Sequence, residues 1–579
     1  MARTIAIGEQ DFCKIIENNY FYIDKTDFIK EWWENGDTVT LITRPRRFGK
    51  TLTMRMTEQF FSVKYKGRSD LFQNLDIWKK KEYQELQGTY PVIFLSFADV
   101  KGSYYEEVYS DICRLVAREY RRHVFLMESD CFLQSDRNQF YKIMSQDACA
   151  GDICSSLNLL SEYLCTYYGK KVIILLDEYD APMQEAYVNG FWGELAGFMR
   201  RFMNSGFKTN PFLERAVMTG ITRVSKESVF SDLNNLAVVT TTSRKYETVF
   251  GFSESEVSAA LKEFGLWNRM DEVRRWYDGF RFGACKNIYN PWSITQFLDE
   301  KNFAPYWADT SSNKLIGKII QEGSSEIKTA VEDLLHGKDI CTAIDEQIVF
   351  DQLDESDEAV WSFLLASGYL KISGYETGKP LLGLAGIKYR LSLTNLEAVS
   401  IFQKMIHGWF ANNRYGYQDF LKALLLGDIP NMNIFISKIT LTAISFFDSG
   451  NRPSDQAEPE RFYHGLVLGM MLSLGDRYVM TSNRESGFGR YDILLKPQSS
   501  ADDGIIFEFK VINPETERNL KDTAKAALEQ IMDRKYAAVL QSEGIKRDSI
   551  RIYAFAFRGK EVLIDGGYLS EFEKTGGMM

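Results

Sequence analysis

The run Lys170-Lys-Val-Ile-Ile-Leu-Leu-Asp177-Glu178-Tyr-Asp180 constrains the fold of this chain more than any other stretch. It is apolar without alternation, so it has no polar face, and it is too short for a typical helix. That pattern fits a central strand of a parallel sheet, covered on both faces, and it places the chain in the α/β class. The strand ends in acids. Asp177 is placed to coordinate magnesium directly or through water, and Glu178 to polarise an attacking water. An apolar strand ending in two acids also occurs without any such role, so a partner motif is needed.

Val39-Thr-Leu-Ile-Thr-Arg-Pro-Arg-Arg-Phe-Gly49-Lys50-Thr51-Leu-Thr-Met supplies that partner. It reads as a buried strand, a loop, and a helix that starts near Gly49. In such a phosphate cradle the loop amides and helix N-terminus face the anion, Lys50 neutralises it, and Thr51 holds magnesium. The full pattern asks for glycine where this chain has Arg44, and Arg46 and Arg47 are candidates for reaching phosphate oxygens instead. ATP and Mg2+ are the expected cofactors.

A second constellation lies near the C-terminus. Gly489-Arg-Tyr-Asp492-Ile-Leu-Leu and Ile505-Ile-Phe-Glu508-Phe-Lys510 flank the turn-rich loop Pro497-Gln-Ser-Ser-Ala-Asp-Asp-Gly504. Folded antiparallel, the hairpin brings Asp492 opposite residues 508–510. Glu508 and Lys510 leave one face of their strand, opposite Phe507, Phe509 and Val511. Two carboxylates beside an amine suit a divalent metal and phosphodiester hydrolysis, with the Phe509 carbonyl as a further ligand. The plain reading of the same alternation is a solvated strand face.

The hairpin resembles the PD-(D/E)xK nuclease superfamily. Tyr463-His-Gly-Leu-Val-Leu-Gly469 and Ser482-Asn-Arg-Glu-Ser-Gly-Phe-Gly-Arg-Tyr-Asp492 look like one bacterial branch of it, in which the nuclease-like domain follows an AAA-ATPase-like domain. Ile7-Gly-Glu-Gln-Asp-Phe12, Tyr22-Ile-Asp-Lys-Thr26, Arg44-Pro-Arg-Arg-Phe-Gly-Lys-Thr51, Leu176-Asp-Glu-Tyr-Asp-Ala-Pro182, Trp276-Tyr-Asp-Gly-Phe280 and Tyr289-Asn-Pro-Trp-Ser293 resemble signatures of that ATPase-like family. The resemblance implies that arginine at position 44 is a family trait. It also implies a sensor strand in Glu214-Arg-Ala-Val-Met-Thr219-Gly-Ile-Thr222-Arg223, where Thr219, Thr222 and Arg223 are candidates for contacting the γ-phosphate or water. Strand-end capping explains those residues equally well. Glu460, at the start of the first helix of the nuclease-like region, matches a glutamate of the branch that can touch the metal; an acid favoured there by the helix dipole is the alternative. His464 reads as packed on that helix. Gln530 and Tyr536 resemble the helix that follows the ExK strand.

The resulting organisation is an AAA-ATPase-like domain over 1–290, a helical and winged-helix-like region over 291–437, and a nuclease-like domain over 438–579. In the middle region the order is helix Glu358 to Ser367, strand Tyr369 to Ser373, strand Tyr389 to Leu393, helix Asn395 to Phe410. It reads as a winged helix that relays nucleotide state, with a structural linker or a DNA-binding module as the other readings. At 579 residues, 45% hydrophobic and 26% charged, the chain has globular proportions and room for several cores. A net charge of −10 argues against a nucleic-acid coat protein but leaves room for a local basic groove. The eight cysteines form no CxxC pair, so neither zinc nor a disulfide framework is indicated. The N-terminus has no apolar signal core, and no apolar run reaches the roughly 18 residues of a membrane span. The expectation is a cytoplasmic P-loop ATPase carrying a magnesium-dependent nuclease that acts on nucleic acid, DNA favoured, with homo-oligomers allowed. A nucleotide-switched protein whose nuclease-like domain only binds is the competing reading.

Overall fold

The computed structural model describes residues 2–208, 210–222, 229–230, 233–307, 313–322, 324–335, 337–345, 353, 356–377, 387–410, 414–447, 467, 471, 474–486, 489–500, 502–513, 517–558 and 561–575. Two compact units are present: 1–311 with 339–400, and 312–338 with 401–579. The middle region 291–437 is thus divided between them. Among the described residues no helix is long and apolar enough to cross a membrane.

The first unit is built on β1 (Val39–Thr43), β2 (Val92–Ser96), β3 (Val172–Asp177), β4 (Leu213–Gly220) and β5 (Leu236–Val239). They form one sheet in the order β2-β3-β4-β1-β5, and every neighbouring pair is parallel. All residues of β1 and β3 are buried, which is why neither sequence alternates. The insertion of β4 between β1 and β3 has a chemical result: Thr219, near the C-terminal end of β4, lies beside Asp177 at the end of β3.

A small antiparallel sheet follows, in the order β6-β8-β7, from β6 (Phe252–Ser253), β7 (Phe280–Phe282) and β8 (Cys285–Tyr289). The Asn290-Pro291 pair then starts helix Pro291–Glu300. The Asn290 side chain accepts the N–H groups of Trp292 and Ser293, and proline occupies the first turn, where its missing N–H costs nothing. Next come β9 (Ile340–Thr342), helix Asp357–Ala366, β10 (Leu370–Thr377), β11 (Ile387–Leu393) and helix Leu396–Phe410. The expected helix-strand-strand-helix order is present, with β9 as a third strand in the order β10-β11-β9. Gly279 shows how tightly this part meets the small sheet. Its φ is 122°, and a Cβ there would lie 2.1 Å from the Thr394 carbonyl oxygen, so only glycine fits.

The second unit carries β12 (Tyr478–Ser486), β13 (Gly489–Pro497), β14 (Gly504–Val511), β15 (Ile550–Arg558) and β16 (Glu561–Tyr568) in sequential order. Only the β14/β15 pair is parallel. One face, with Phe507, Phe509, Phe555 and Phe557, packs on Phe420, Leu424, Met432 and Ile436. The other, with Ile506, Ala554 and Ala556, packs on Ala524, Ala527 and Ile531 of helix Leu520–Asp533. The alternation between Phe and Glu/Lys in β14 therefore sorts two covered faces, not one covered and one wet.

Within the first unit, the carboxylate of Glu397 is fully buried and accepts from the Ser293 hydroxyl at 2.8 Å and the Trp307 N–H at 2.6 Å. Burial pushes this carboxyl up from 4.5 to about 8. The folded chain thus retains a proton that the unfolded chain loses at lower pH. The associated stability is full below about 4.5 and is lost as pH rises through about 8. Glu397→Gln is expected to remove that slope, worth at most roughly 1.4 kcal/mol per pH unit inside the window. Denaturant unfolding of parent and variant across the window checks this, and parallel stability profiles would refute it.

Candidate nucleotide and metal sites

Beyond β1 the chain turns through residues 44–49 and enters helix Lys50–Phe61. Arg47 (φ 65°) and Gly49 (φ 79°) both adopt left-handed backbone, which curls the loop so that helix N-terminal amides close it. The Lys50 ammonium is buried and donates to the carbonyls of Arg44 (2.9 Å) and Pro45 (2.8 Å), spanning the loop. Burial pulls its pKa down, opposed by Glu178, Asp180 and Asp177.

Arg44 occupies the position of the absent glycine and points away from the cradle. It is fully buried, donates to the carbonyls of Thr43 (2.9 Å) and Thr240 (2.7 Å), and lies over the Phe282 ring at 4.4 Å. It ties the loop to the end of β5. The other two arginines are held by neutral partners. Arg46 donates to the Gln184 amide oxygen at 2.8 Å, and Arg47 lies 4.3 Å over the Trp292 ring. Arg46, Arg47, Gly49, Lys50, Thr51, Glu178 and Trp292 line one cavity of about 370 Å³, within the size range of small-molecule sites.

The acids fall where β3 ends. Asp177 is fully buried; its two oxygens accept from the Thr51 hydroxyl (2.8 Å) and the Thr219 hydroxyl (2.6 Å). A hydroxyl and a carboxylate at this spacing, next to a phosphate cradle, are hard oxygen ligands of the kind magnesium takes. Glu178 follows with a left-handed φ of 49°, a strained conformation at the edge of the cavity. Asp180 accepts the N–H groups of Ile221 (2.8 Å) and Thr222 (3.1 Å), and burial raises its pKa. Thr222 therefore serves strand-end capping, whereas Thr219 reaches the Asp177 carboxylate. Arg223 lies outside the described residues. Gln184 and Trp292 escaped sequence reasoning because each meets its arginine across a large separation, with no local pattern to mark the contact.

In the second unit, β13 pairs with β14 through Ile493–Phe507, Leu494–Ile506 and Leu495–Ile505, while β14 continues beside β15 as far as Val511–Phe557. Where the β13/β14 ladder stops, Asp492 accepts the Phe509 N–H through its own carboxylate at 2.7 Å. The split leaves Asp492, Glu508 and Lys510 grouped at one end of the hairpin. Glu508 is buried and accepts from the Gln530 amide, whose nitrogen is also 3.3 Å from the Tyr536 hydroxyl. Lys510 is half-buried. Among the described residues no cluster of three or more His, Cys, Asp or Glu side chains forms a metal cage. A pair of carboxylates nonetheless fits magnesium, which keeps several waters and takes phosphate oxygens. Glu460 and His464 lie outside the described residues.

Restoring glycine at position 44 would convert the loop to the full phosphate-binding pattern, yet the packing predicts damage. Arg44→Gly would leave a hole beside Phe282 and strip donors from the buried Thr43 carbonyl and the half-buried Thr240 carbonyl. We expect a loss of roughly 3 kcal/mol or more in denaturant unfolding. Unchanged stability would show that the guanidinium does not pin the loop.

Comparison with known proteins gives the same division. Residues 6–230 match the family described as predicted AAA-ATPase, and residues 458–566 match the PD-(D/E)XK nuclease superfamily. A protein from Azotobacter chroococcum mcd 1, described as an uncharacterized protein in the vnfD 5′ region, is 25% identical over 554 residues, covering 94% of each chain. A Signal Transduction ATPase with Numerous Domains (STAND) protein with a tetratricopeptide repeat sensor, from Pyrococcus horikoshii, matches at 12% identity. That match covers 78% of this chain and 53% of the other, with a TM-score of 0.24, too low to carry an argument. The chain carries an AAA-ATPase-like domain in its N-terminal part and a PD-(D/E)XK nuclease-superfamily domain in its C-terminal part.

Proposed function

We propose that this chain binds and hydrolyses ATP with magnesium and cleaves nucleic acid, DNA in preference, under nucleotide control. The observation that carries the reading is the opening of the β13/β14 ladder at Asp492, Glu508 and Lys510. It leaves two acids and an amine grouped where the interior strands β13 and β14 part, an arrangement that suits a metal-bridged backbone phosphate. Magnesium bound there would supply an activated water and offset phosphate charge. Asp492 and Glu508 would hold the ion, each already oriented, one by the Phe509 N–H and the other by Gln530. Lys510 would orient the nucleophile and stabilise charge that develops on the phosphate. Gln530 acts as a positioning residue for Glu508.

At the N-terminal site, Lys50 would exchange its two loop carbonyls for phosphate oxygens, Thr51 and Asp177 would hold the magnesium, and Glu178 would polarise the attacking water. Lys50→Ala should lose nucleotide affinity by about 2–4 kcal/mol. Glu178→Gln should keep nucleotide binding and stop turnover. Isothermal titration beside a phosphate-release assay separates the two, and full affinity in the lysine variant would mean that the loop is not a phosphate cradle.

At the C-terminal site, Asp492→Ala and Glu508→Ala should each abolish magnesium-dependent cutting of plasmid or linear DNA. Lys510→Ala should retain most metal affinity while cleavage falls by about two orders of magnitude or more, because its role is in the transition state. ATP binding should be intact in all three. Full cleavage by the Asp492 variant would overturn the nuclease assignment. Nucleic-acid binding without cutting by the parent chain, under every combination of magnesium and ATP, would favour a nucleotide-switched binding module instead.

A further inference from the structure

A second cavity, of about 350 Å³, lies in the first unit on the side of the phosphate loop marked by Pro45. Its aromatic walls are Phe280, Phe282, Tyr375 and Tyr389. Among the described residues of the wall, the side chains that carry charge are Arg244, Arg281 and Lys371, all cationic, with no aspartate or glutamate. Of the carboxylates close by, Glu247 accepts the Ala284 N–H at 2.9 Å, Asp278 accepts the Gly279 N–H at 2.6 Å, and Asp339 accepts from the Ser373 hydroxyl at 2.7 Å. Burial pulls the Lys371 amine down, and neighbouring Asp278 and Asp339 hold it up. At the mouth, Tyr375 is 65% exposed, a large ring left in water beside three cations.

Rings for stacking, guanidinium groups for bidentate oxygen contacts and an absence of acids form one chemical signature. It fits a planar ring that bears a phosphate. A purely apolar ligand would make no use of the exposed Arg244 and half-buried Arg281 guanidinium groups, and a metal would meet no carboxylate on the described wall. We propose that this cavity binds a nucleobase-bearing phosphate, distinct from the nucleotide of the Lys50 loop. Tyr375 stacks on the base, and Arg244 and Arg281 take the phosphate. The ligand is either a free mononucleotide or one unit of a single-stranded nucleic acid; the chemistry is shared. The site abuts the phosphate loop directly: a Cβ on Gly368 of its wall would lie 2.9 Å from Pro45 Cγ, so the occupant rests against the outer side of that loop.

The full chain is tested with two fluorescent probes, labelled AMP and a short labelled single-stranded DNA, read by anisotropy. Lys50→Ala removes the first site from the measurement, and Arg244→Glu with Arg281→Glu, or Tyr375→Ala, removes the second. Tyr375 is exposed, so Tyr375→Ala is expected to melt like the parent and keeps the test valid. Arg281 is half-buried and donates to the Gly283 carbonyl at 3.2 Å, so the arginine variant is read only if its melting matches. In the Lys50→Ala background at least one probe should still bind. Either cavity variant should weaken that binding about tenfold or more, and Tyr375→Phe should restore it, because stacking survives loss of the hydroxyl. Cavity-dependent binding of AMP alone identifies a free nucleotide, of DNA alone a strand, and of both either source; DNA binding that the cavity variants leave unchanged belongs to the C-terminal site and counts against this one. The proposal fails if neither probe binds the Lys50→Ala chain, or if both cavity variants bind within about twofold of it. Loss of ATP turnover in Lys50→Ala with probe binding intact keeps this inference separate from the proposed ATPase activity.

Discussion

The Thr51 and Thr219 hydroxyls that converge on the Asp177 carboxylate, with the Ser96 hydroxyl of β2 more distant at 3.4 Å, tie separate elements of the first unit to one buried charge. Thr51 comes from the first turn after the phosphate loop, Thr219 from the strand inserted between β1 and β3, and Asp177 itself from β3. A fully buried carboxylate is costly without donors, so the sheet order and the loop conformation are selected together. If β4 lay at an edge, Asp177 would lose its shortest hydroxyl contact, the one to Thr219 at 2.6 Å. The parallel order of the sheet is therefore a requirement of the site as much as of the core.

The second unit solves a related problem by the opposite means. Its sheet is covered on both faces by apolar clusters, which leaves little room for charged side chains in the middle of β14. Ending the β13/β14 ladder early creates that room. The cost is a backbone amide without its strand partner, and Asp492 meets that amide with its own carboxylate. The acid both compensates for the split and stands ready at it.

Much of this was legible in the sequence because the relevant signals are local. The unbroken apolar runs gave β1 and β3, and the turn-rich loop gave the β13/β14 hairpin. The strands and helices around residues 358–410 were also readable, since each is long enough to show its own period. β9 was not: at three residues, Ile340–Thr342 has no period to detect. The role of Arg44 was hidden for another reason. Its partners, Thr240 and Phe282, are remote in the chain, and an arginine in a phosphate loop suggests anion contact when only its neighbours are known. The left-handed backbone at Glu178 and the burial of Glu397 against Ser293 and Trp307 likewise arise from packing between distant segments, which no spacing rule reports.

The self-bonded state of Lys50 has a consequence for selectivity. Its ammonium donates to two peptide carbonyls, so the loop is braced by its own lysine. An incoming anion must compete with those carbonyls. Ionised phosphate oxygens form charge-assisted bonds roughly twice as strong as neutral ones, and several act at once. A single weakly accepting ion such as chloride gains little by the exchange. On the proposed reading, that exchange would favour a polyphosphate over abundant monovalent ions.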